Sequence, residues 1–356
     1  MKCLHGACAG TTFLLTVVGT LIAAAAVPTE QQAVVQHGFG GPEVLKLQNI
    51  PVLQPAAGQV LIEVYAAAVN PVDWKIRREG MAEPLRAGAP EPMSIPGSDV
   101  AGVVARVGSD VSNVRVGEAV FASVGGQGTA GLNGGYAHYA LASAANVQLK
   151  PVNSTYEQAA GLGMAAMTGV RADIVAQVGA GERILVTGAA GGVGSSAAQV
   201  AVARGATVIG TASPQHAHYL KRIGVSEVVD DSHKNWTAEV RNVDVAIDTV
   251  GGDTAEQALG TVKKGGEFLS VAAKIDPAYC ASRGVNCLSG GPLGRNGPTL
   301  ADLMRRVEDL AVAGKLSMHV SRTYPIEHAA EAQEYNRLGH TEGKVILIMS
   351  PKAQER

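Results

Sequence analysis

Residues Arg183–Gly205 read RILVTGAAGGVGSSAAQVAVARG. A short apolar run ends at Thr187, a glycine cluster follows, and an alanine-rich stretch closes on Gly205. Strand, glycine turn and helix in this order suit a phosphate. The first amides of a helix have no intrahelical partner and lie at the positive end of its dipole. The spacing is Ala189-x-Gly191-x-x-Gly194, a dinucleotide fingerprint with alanine in its first place. Gly191 lets the backbone approach a pyrophosphate, Gly192 and Val193 complete the loop, and Gly194 lets the helix pack on the strand.

The flanking pattern gives the loop its setting. From Ser154 the chain alternates helix-like and strand-like segments: TVIGT before PQHAHYLKRIG, then EVVDD, VDVAIDTV, DTAEQALGTVKKG and EFLSVAA. The strands are nearly continuous apolar runs, as expected where helices cover both faces of a parallel sheet. A doubly wound Rossmann sheet is predicted over 156–298, with a capping-box helix start at Ser154 and Glu157. Ahead of it, QVLIEVYAAAVN, DVAGVVARVG and AVFASV are short strands between Gly, Asp and Asn turns. They predict a β-rich, barrel-like domain over 33–155. Two amphipathic helices and the strand GKVILIM follow residue 298; that last strand is too isolated for the nucleotide sheet and is expected to return to the N-terminal domain, completing it from 300 to 350.

Composition bounds the partners. The 356 residues carry a net charge of −2 with 46% hydrophobic and 17% charged residues, which gives no footing for nucleic acid or anionic lipid. The first 26 residues differ: one lysine precedes an uncharged run that ends in Ala24-x-Ala26, the pattern of a secretory signal peptide. Its alternatives are a retained membrane anchor or a misplaced start. Export is the expectation, and after leader cleavage no stable membrane partner is expected. Cys3 and Cys8 lie inside this segment, leaving Cys280 and Cys287, which are either a disulfide or two unrelated thiols. NST at Asn153 and NWT at Asn235 match the glycosylation pattern, which also arises by chance.

The second strand of the nucleotide unit bears on the cofactor. An NAD site places a carboxylate about 20 residues beyond the fingerprint, on the ribose 2′-hydroxyl. Here the strand runs on into VIGTASPQHAHY, with no carboxylate before Glu227. Ser213 can donate to a 2′-phosphate, and His216, Lys221 or Arg222 can add positive charge, so NADPH is favoured over NADH. Alternatively, His216 and His218 simply occupy an exposed helix start.

Taken together, VNPVDWKIRREG, IPGSDVAGVVARVGSDV, VGEAVFA, GGYAHYA, VTGAAGGVGSSAAQVA and EGKVIL resemble the medium-chain dehydrogenase/reductase superfamily, in its zinc-free quinone oxidoreductase and enoyl-reductase branch. The resemblance runs from about Ala33 to Met349 and implies a GroES-like domain, a Rossmann domain and NADPH in the cleft between them. Zinc-dependent relatives carry metal ligands at positions matching Asn70, Ser98 and Met164. An amide, a hydroxyl and a thioether make a poor set for Zn²⁺, and no metal is expected. Without a Lewis acid, alcohol oxidation is disfavoured, whereas hydride addition to a quinone or enone needs only a donor at the carbonyl oxygen.

The resemblance makes Asn70 the first candidate for that donor, with an Asn–Pro turn as the alternative. Lys75 and Trp74 follow on the same loop as further candidates, and Asp73 is expected to orient it by hydrogen bonding. Thr168 matches a threonine near the nicotinamide amide. Val250 and Ala272 match backbone positions near the cofactor, and Lys344 matches a lysine near the cleft or on the surface. Enoyl-thioester reductases carry a tyrosine beyond the R-x-G of the first motif; REGMAEPLRAGAPEP has none. The leading expectation is an NADPH-dependent reductase of quinones or α,β-unsaturated carbonyls, a homodimer by family habit. The alternatives are an enoyl-thioester reductase of lipid or polyketide synthesis, or a non-catalytic NADPH-binding protein. Export conflicts with the usual cytosolic supply of NADPH.

Overall fold

The computed structural model describes residues 27–79, 93–125, 132–289, 298–339 and 341–349. The leader expectation for 1–26 and most of the missing-tyrosine segment, residues 80–92, lie outside them. The first half consists of β1 (Glu30–His37), β2 (Leu45–Pro51), β3 (Gln59–Val69), α1 (Pro71–Glu79), β4 (Met93–Ser94), β5 (Asp99–Val107), β6 (Ala119–Ser123), β7 (Tyr139–Ser143) and β8 (Val147–Leu149). The nucleotide half follows with α2 (Tyr156–Ala160), α3 (Met164–Val175), β9 (Arg183–Val186), α4 (Gly192–Ala203), β10 (Thr207–Thr211), α5 (Ala217–Arg222) and β11 (Glu227–Val229). It continues through β12 (Val243–Asp248), α6 (Gly252–Leu259), β13 (Val262–Ser270), α7 (Pro277–Arg283) and β14 (Asn286–Ser289). Last come α8 (Leu300–Val312), β15 (Val320–Pro325), α9 (Ala329–Leu338) and β16 (Lys344–Ile348).

The nucleotide sheet is parallel, in the order β11-β10-β9-β12-β13-β14. The chain reverses direction across the sheet between β9 and β12, and ligands of open α/β sheets gather at the carboxyl ends of strands at such a point. The GroES-like part carries a sheet ordered β15-β16-β3-β5-β6-β8, with β7 also on β3, and a smaller sheet β2-β1-β4. As its sequence predicts, β16 joins the N-terminal sheet, antiparallel to β3 with Val345 opposite Val69. That register sets Lys344 beside Asn70.

Local chemistry departs from the sequence reading in three places. The helix predicted from Ser154 is two helices, split by Gly161–Gly163, and its capping box belongs to Thr155 and Gln158, one residue later than expected. The segment after Asn70 is not a loop but α1, which Pro71 can open because the first helical N–H needs no partner. Cys280 and Cys287 are not separate thiols: they form a disulfide between α7 and β14, with Cα atoms 5.8 Å apart.

Candidate active site

The glycine loop leaves the amino end of α4 uncapped. Gly191 is the N-cap with extended backbone, and no side chain caps the helix. A Cβ at Gly191 would meet only the Gly188 oxygen, at 3.4 Å, whereas one at Gly194 would lie 2.2 Å from that oxygen. Gly191 therefore keeps a surface clear for a ligand, and Gly194 lets helix and strand touch. Ala189 is buried in the nucleotide-domain core, while Gly192 and Val193 form the first turn of α4. The Gly343 amide donates to the Ala190 carbonyl at 2.7 Å, so the segment before β16 is tied to this loop. Uncapped amides, a clear backbone and a helix dipole fit a dinucleotide pyrophosphate.

The edge of the site at β10 is more crowded than its sequence implies. Ser213 is half-buried, and its hydroxyl caps nothing. His216 is not an exposed cation at a helix start: it is buried, with Nδ1 2.9 Å from Glu342, whose other oxygen lies 3.2 Å from His319. His218, by contrast, is exposed. Lys221 donates to the Ser226 carbonyl, and the Arg222 guanidinium lies over the Tyr219 ring. A carboxylate does reach this edge, from the turn after the neighbouring strand β11: Thr211 Oγ1 donates to Asp231 at 2.9 Å. Local spacing could not reveal it, because the turn beyond β11, and not the end of β10, supplies it.

At the carboxyl ends of β12 and β13, Val250 and Ala272 are exposed, as befits backbone beside a ligand. Beneath them, buried Asp248 accepts from Thr187 Oγ1, Ser270 Oγ and the amides of Val250 and Gly251, stitching three strand ends together. Its signal in the sequence is a carboxylate closing the apolar run VDVAID. Thr168 lies in the second turn of α3, donating to the Met164 carbonyl at 2.7 Å.

The densest chemistry lies between β3, β5, α3 and β16. Lys344 is 4% exposed, which rules out a surface role. Its stem passes the glycine loop, where a Cβ on Gly192 would come within 2.9 Å of Lys344 Cδ. Its ammonium donates to the Val69 carbonyl at 2.9 Å and to Asn70 Oδ1 at 2.5 Å. Asn70, 2% exposed, donates from Nδ2 to Asp99 Oδ2 at 2.8 Å. Asp99 also accepts from Ser98 Oγ at 3.0 Å and from the Met164 amide at 2.9 Å, capping α3. Gly163 permits that approach: a Cβ there would lie 2.3 Å from the Asp99 carboxyl carbon. The three positions matched to zinc ligands thus converge on one carboxylate, a residue that sequence reasoning passed over although it heads the apolar run of β5. Among the described residues, no group of three or more His, Cys, Asp and Glu is gathered as a metal would require.

Asp73 forms a second layer. It accepts from the Asn70 amide at 2.8 Å and from Tyr136 OH at 2.9 Å, the orienting role expected of it. Burial pushes the Asp73 carboxyl up to about 7, against the pull of those donors. Burial likewise raises Asp99, while the Lys344 charge holds it down; burial lowers Lys344, while Asp99 and Asp73 hold it up. Lys75 is not part of this cluster. It is exposed on α1, its ammonium over the Trp74 ring, whose N–H donates to Asn336.

Residues 56–152 match the alcohol dehydrogenase GroES-like domain, and residues 223–347 match a family described as zinc-binding dehydrogenase. Over 334 residues the chain is 32% identical to the chloroplastic NADPH-dependent alkenal/one oxidoreductase of Arabidopsis thaliana, covering 92% of this chain and 82% of that protein. The chain belongs to the medium-chain dehydrogenase/reductase superfamily, in its quinone-oxidoreductase-like branch. Human quinone oxidoreductase is 32% identical over 327 residues, 87% of this chain and 95% of that one. The structure of the quinone oxidoreductase from Coxiella burnetii superposes with a TM-score of 0.78 at 30% identity, covering 90% of this chain and all of that one. As a medium-chain dehydrogenase/reductase, the protein is an oxidoreductase of small molecules that uses a nicotinamide nucleotide.

Proposed function

We propose that the protein is a metal-independent, NADPH-dependent reductase of quinones and α,β-unsaturated carbonyls. One observation carries this reading: the Lys344 ammonium sits on Asn70 Oδ1, where zinc-dependent relatives have a ligand. A cation acting through an amide polarises it and makes its N–H a stronger donor, as linked hydrogen bonds reinforce one another in a poorly solvated site. One Asn70 amide hydrogen is committed to Asp99. The other is the donor we assign to a carbonyl oxygen gaining negative charge. Asp99 and Lys344 fix the amide's orientation, and Asp73 fixes the backbone from which it projects. Bound NADPH supplies the hydride. Gly191, Gly192, Val193 and Gly194 would hold its pyrophosphate, and Ser213 its 2′-phosphate. Thr168, Val250 and Ala272 would line the nicotinamide half. Lys75 serves at most the rim, given its exposure.

The names of the Arabidopsis and human relatives support the substrate class. The homodimer belongs to the same reading: among the described residues, β14 pairs on one side only, leaving an edge where a second copy can add its own. The test is consumption of NADPH by purified protein stripped with a chelator. Turnover of both a quinone and an enone, unchanged by the chelator, and none of a saturated alcohol with NADP⁺, is expected. Activity that follows zinc content, or none on either electrophile, would overturn the reading.

A further inference from the structure

We propose that Asn153 and Asn235 carry N-linked glycans, added as the chain enters the lumen of a secretory pathway. Both head an acceptor triplet, Asn153-Ser154-Thr155 and Asn235-Trp236-Thr237, with no proline in either. The fold presents both to solvent. Asn153 is exposed in the turn between β8 and α2, next to Val152, whose side chain is 99% exposed. Asn235 is exposed in the turn after β11 and caps no helix with its side chain. Buried Asn70, in contrast, precedes a proline and heads no triplet.

Two features unrelated to the triplets point to the same compartment. Cys280 and Cys287, the only cysteines after residue 26, are joined in a disulfide, a bond that oxidising lumens keep and reducing cytosols do not. The first 26 residues have the composition of a leader, and cleavage after Ala26 would leave β1, which begins at Glu30, whole. Chance explains one triplet readily. It explains less well two exposed triplets, a complete disulfide and a leader in one chain.

The chemistry is a group transfer without redox change. Asn Nδ2 attacks the anomeric carbon of a lipid-diphosphate-linked oligosaccharide. A C–N bond forms, the C–O bond to phosphate breaks, the lipid diphosphate leaves with the electron pair, and Nδ2 gives up one proton. In the folded chain the Thr155 hydroxyl accepts from the Gln158 amide as the cap of α2, so transfer at Asn153 precedes closure of that helix. Neither asparagine touches the Asn70–Lys344–Asp99 cluster or the amino end of α4, so both glycans leave the reaction site free.

The experiment expresses the full chain with its own leader in cultured eukaryotic cells and recovers it from lumen and medium. Digestion with a peptide N-glycosidase should lower its mass in two glycan steps and convert only Asn153 and Asn235 to aspartate. Asn153→Gln and Asn235→Gln should each remove one step, and the double variant both, with reductase turnover unchanged. Lumenal protein with its leader cleaved that shows no step overturns the proposal. So does a chain kept in the cytosol with its leader intact and its cysteines free. A single step overturns the assignment at the untouched residue.

Discussion

Replacing Lys344 by Met keeps the volume of a side chain that is almost wholly buried but deletes its charge. The Val69 carbonyl and Asn70 Oδ1 lose their donor, and Asp99 loses the cation that holds its carboxyl down. Breaking a buried charge pair by removing one member costs about 3–5 kcal/mol. The carboxylate can escape part of this by taking up a proton, so the cost should be largest above neutral pH and shrink as pH falls. A second substitution separates charge from packing. In Asp99→Asn the amide oxygen can accept from Asn70 and Met164, and its NH₂ can donate to Ser98 Oγ, so all three contacts survive without the charge. Added to Lys344→Met, it should recover about half the loss, a coupling within the usual range for residues of one network. Urea unfolding can be followed at Trp74 in a Trp236→Phe background, which leaves one indole in the GroES-like part. A cost below about 1 kcal/mol for the single variant, typical of a surface pair, would refute the reasoning. So would a double variant no more stable than the single one.

Four further outcomes are expected. Asn70→Ala should lower turnover on enones by about 100-fold, in the range of one lost oxyanion donor, while NADPH affinity by fluorescence titration stays within about twofold; equal losses would make Asn70 a folding residue. Ser213→Asp should shift the kcat/KM ratio from NADPH toward NADH, and an unchanged ratio would dismiss that hydroxyl as a 2′-phosphate contact. Gly191→Ala should retain its melting temperature and lose nucleotide binding, whereas Gly194→Ala, with its Cβ against the Gly188 oxygen, should unfold at a clearly lower temperature. Asp73 keeps its proton in the folded chain up to about pH 7, while the unfolded chain releases it near 3.8. The folded form therefore binds more protons in that window, and stability should fall as pH rises through it. Asp73→Asn should flatten this slope in urea midpoints measured from pH 5 to 8.

What the sequence made legible was local. The glycine loop, the alternation that follows it and the apolar run of β16 each declare themselves within a dozen residues. Asn70 and Lys344 were singled out separately by the family resemblance, but their contact spans 274 residues and depends on the antiparallel register of β16 on β3. Asp99 went unnoticed because one carboxylate in a strand is ordinarily a surface residue, and only the fold turns Ser98, Asn70 and α3 toward it. Glu342 shows the same limit. Nothing near it in sequence tells that it will meet the His216 imidazole, 126 residues away, at 2.9 Å.

The placement of β16 bears on biosynthesis. It is the last strand among the described residues, yet it inserts between β15 and β3 and delivers the charge on which Asn70 and Asp99 depend. The nucleotide half can fold while the ribosome still holds this segment, so a partly made chain can acquire a phosphate-binding loop without a reaction centre. Non-local pairings of such separation form slowly. A nascent enzyme assembled in this order stays inert toward reactive electrophiles until β16 has been made and has docked against β3.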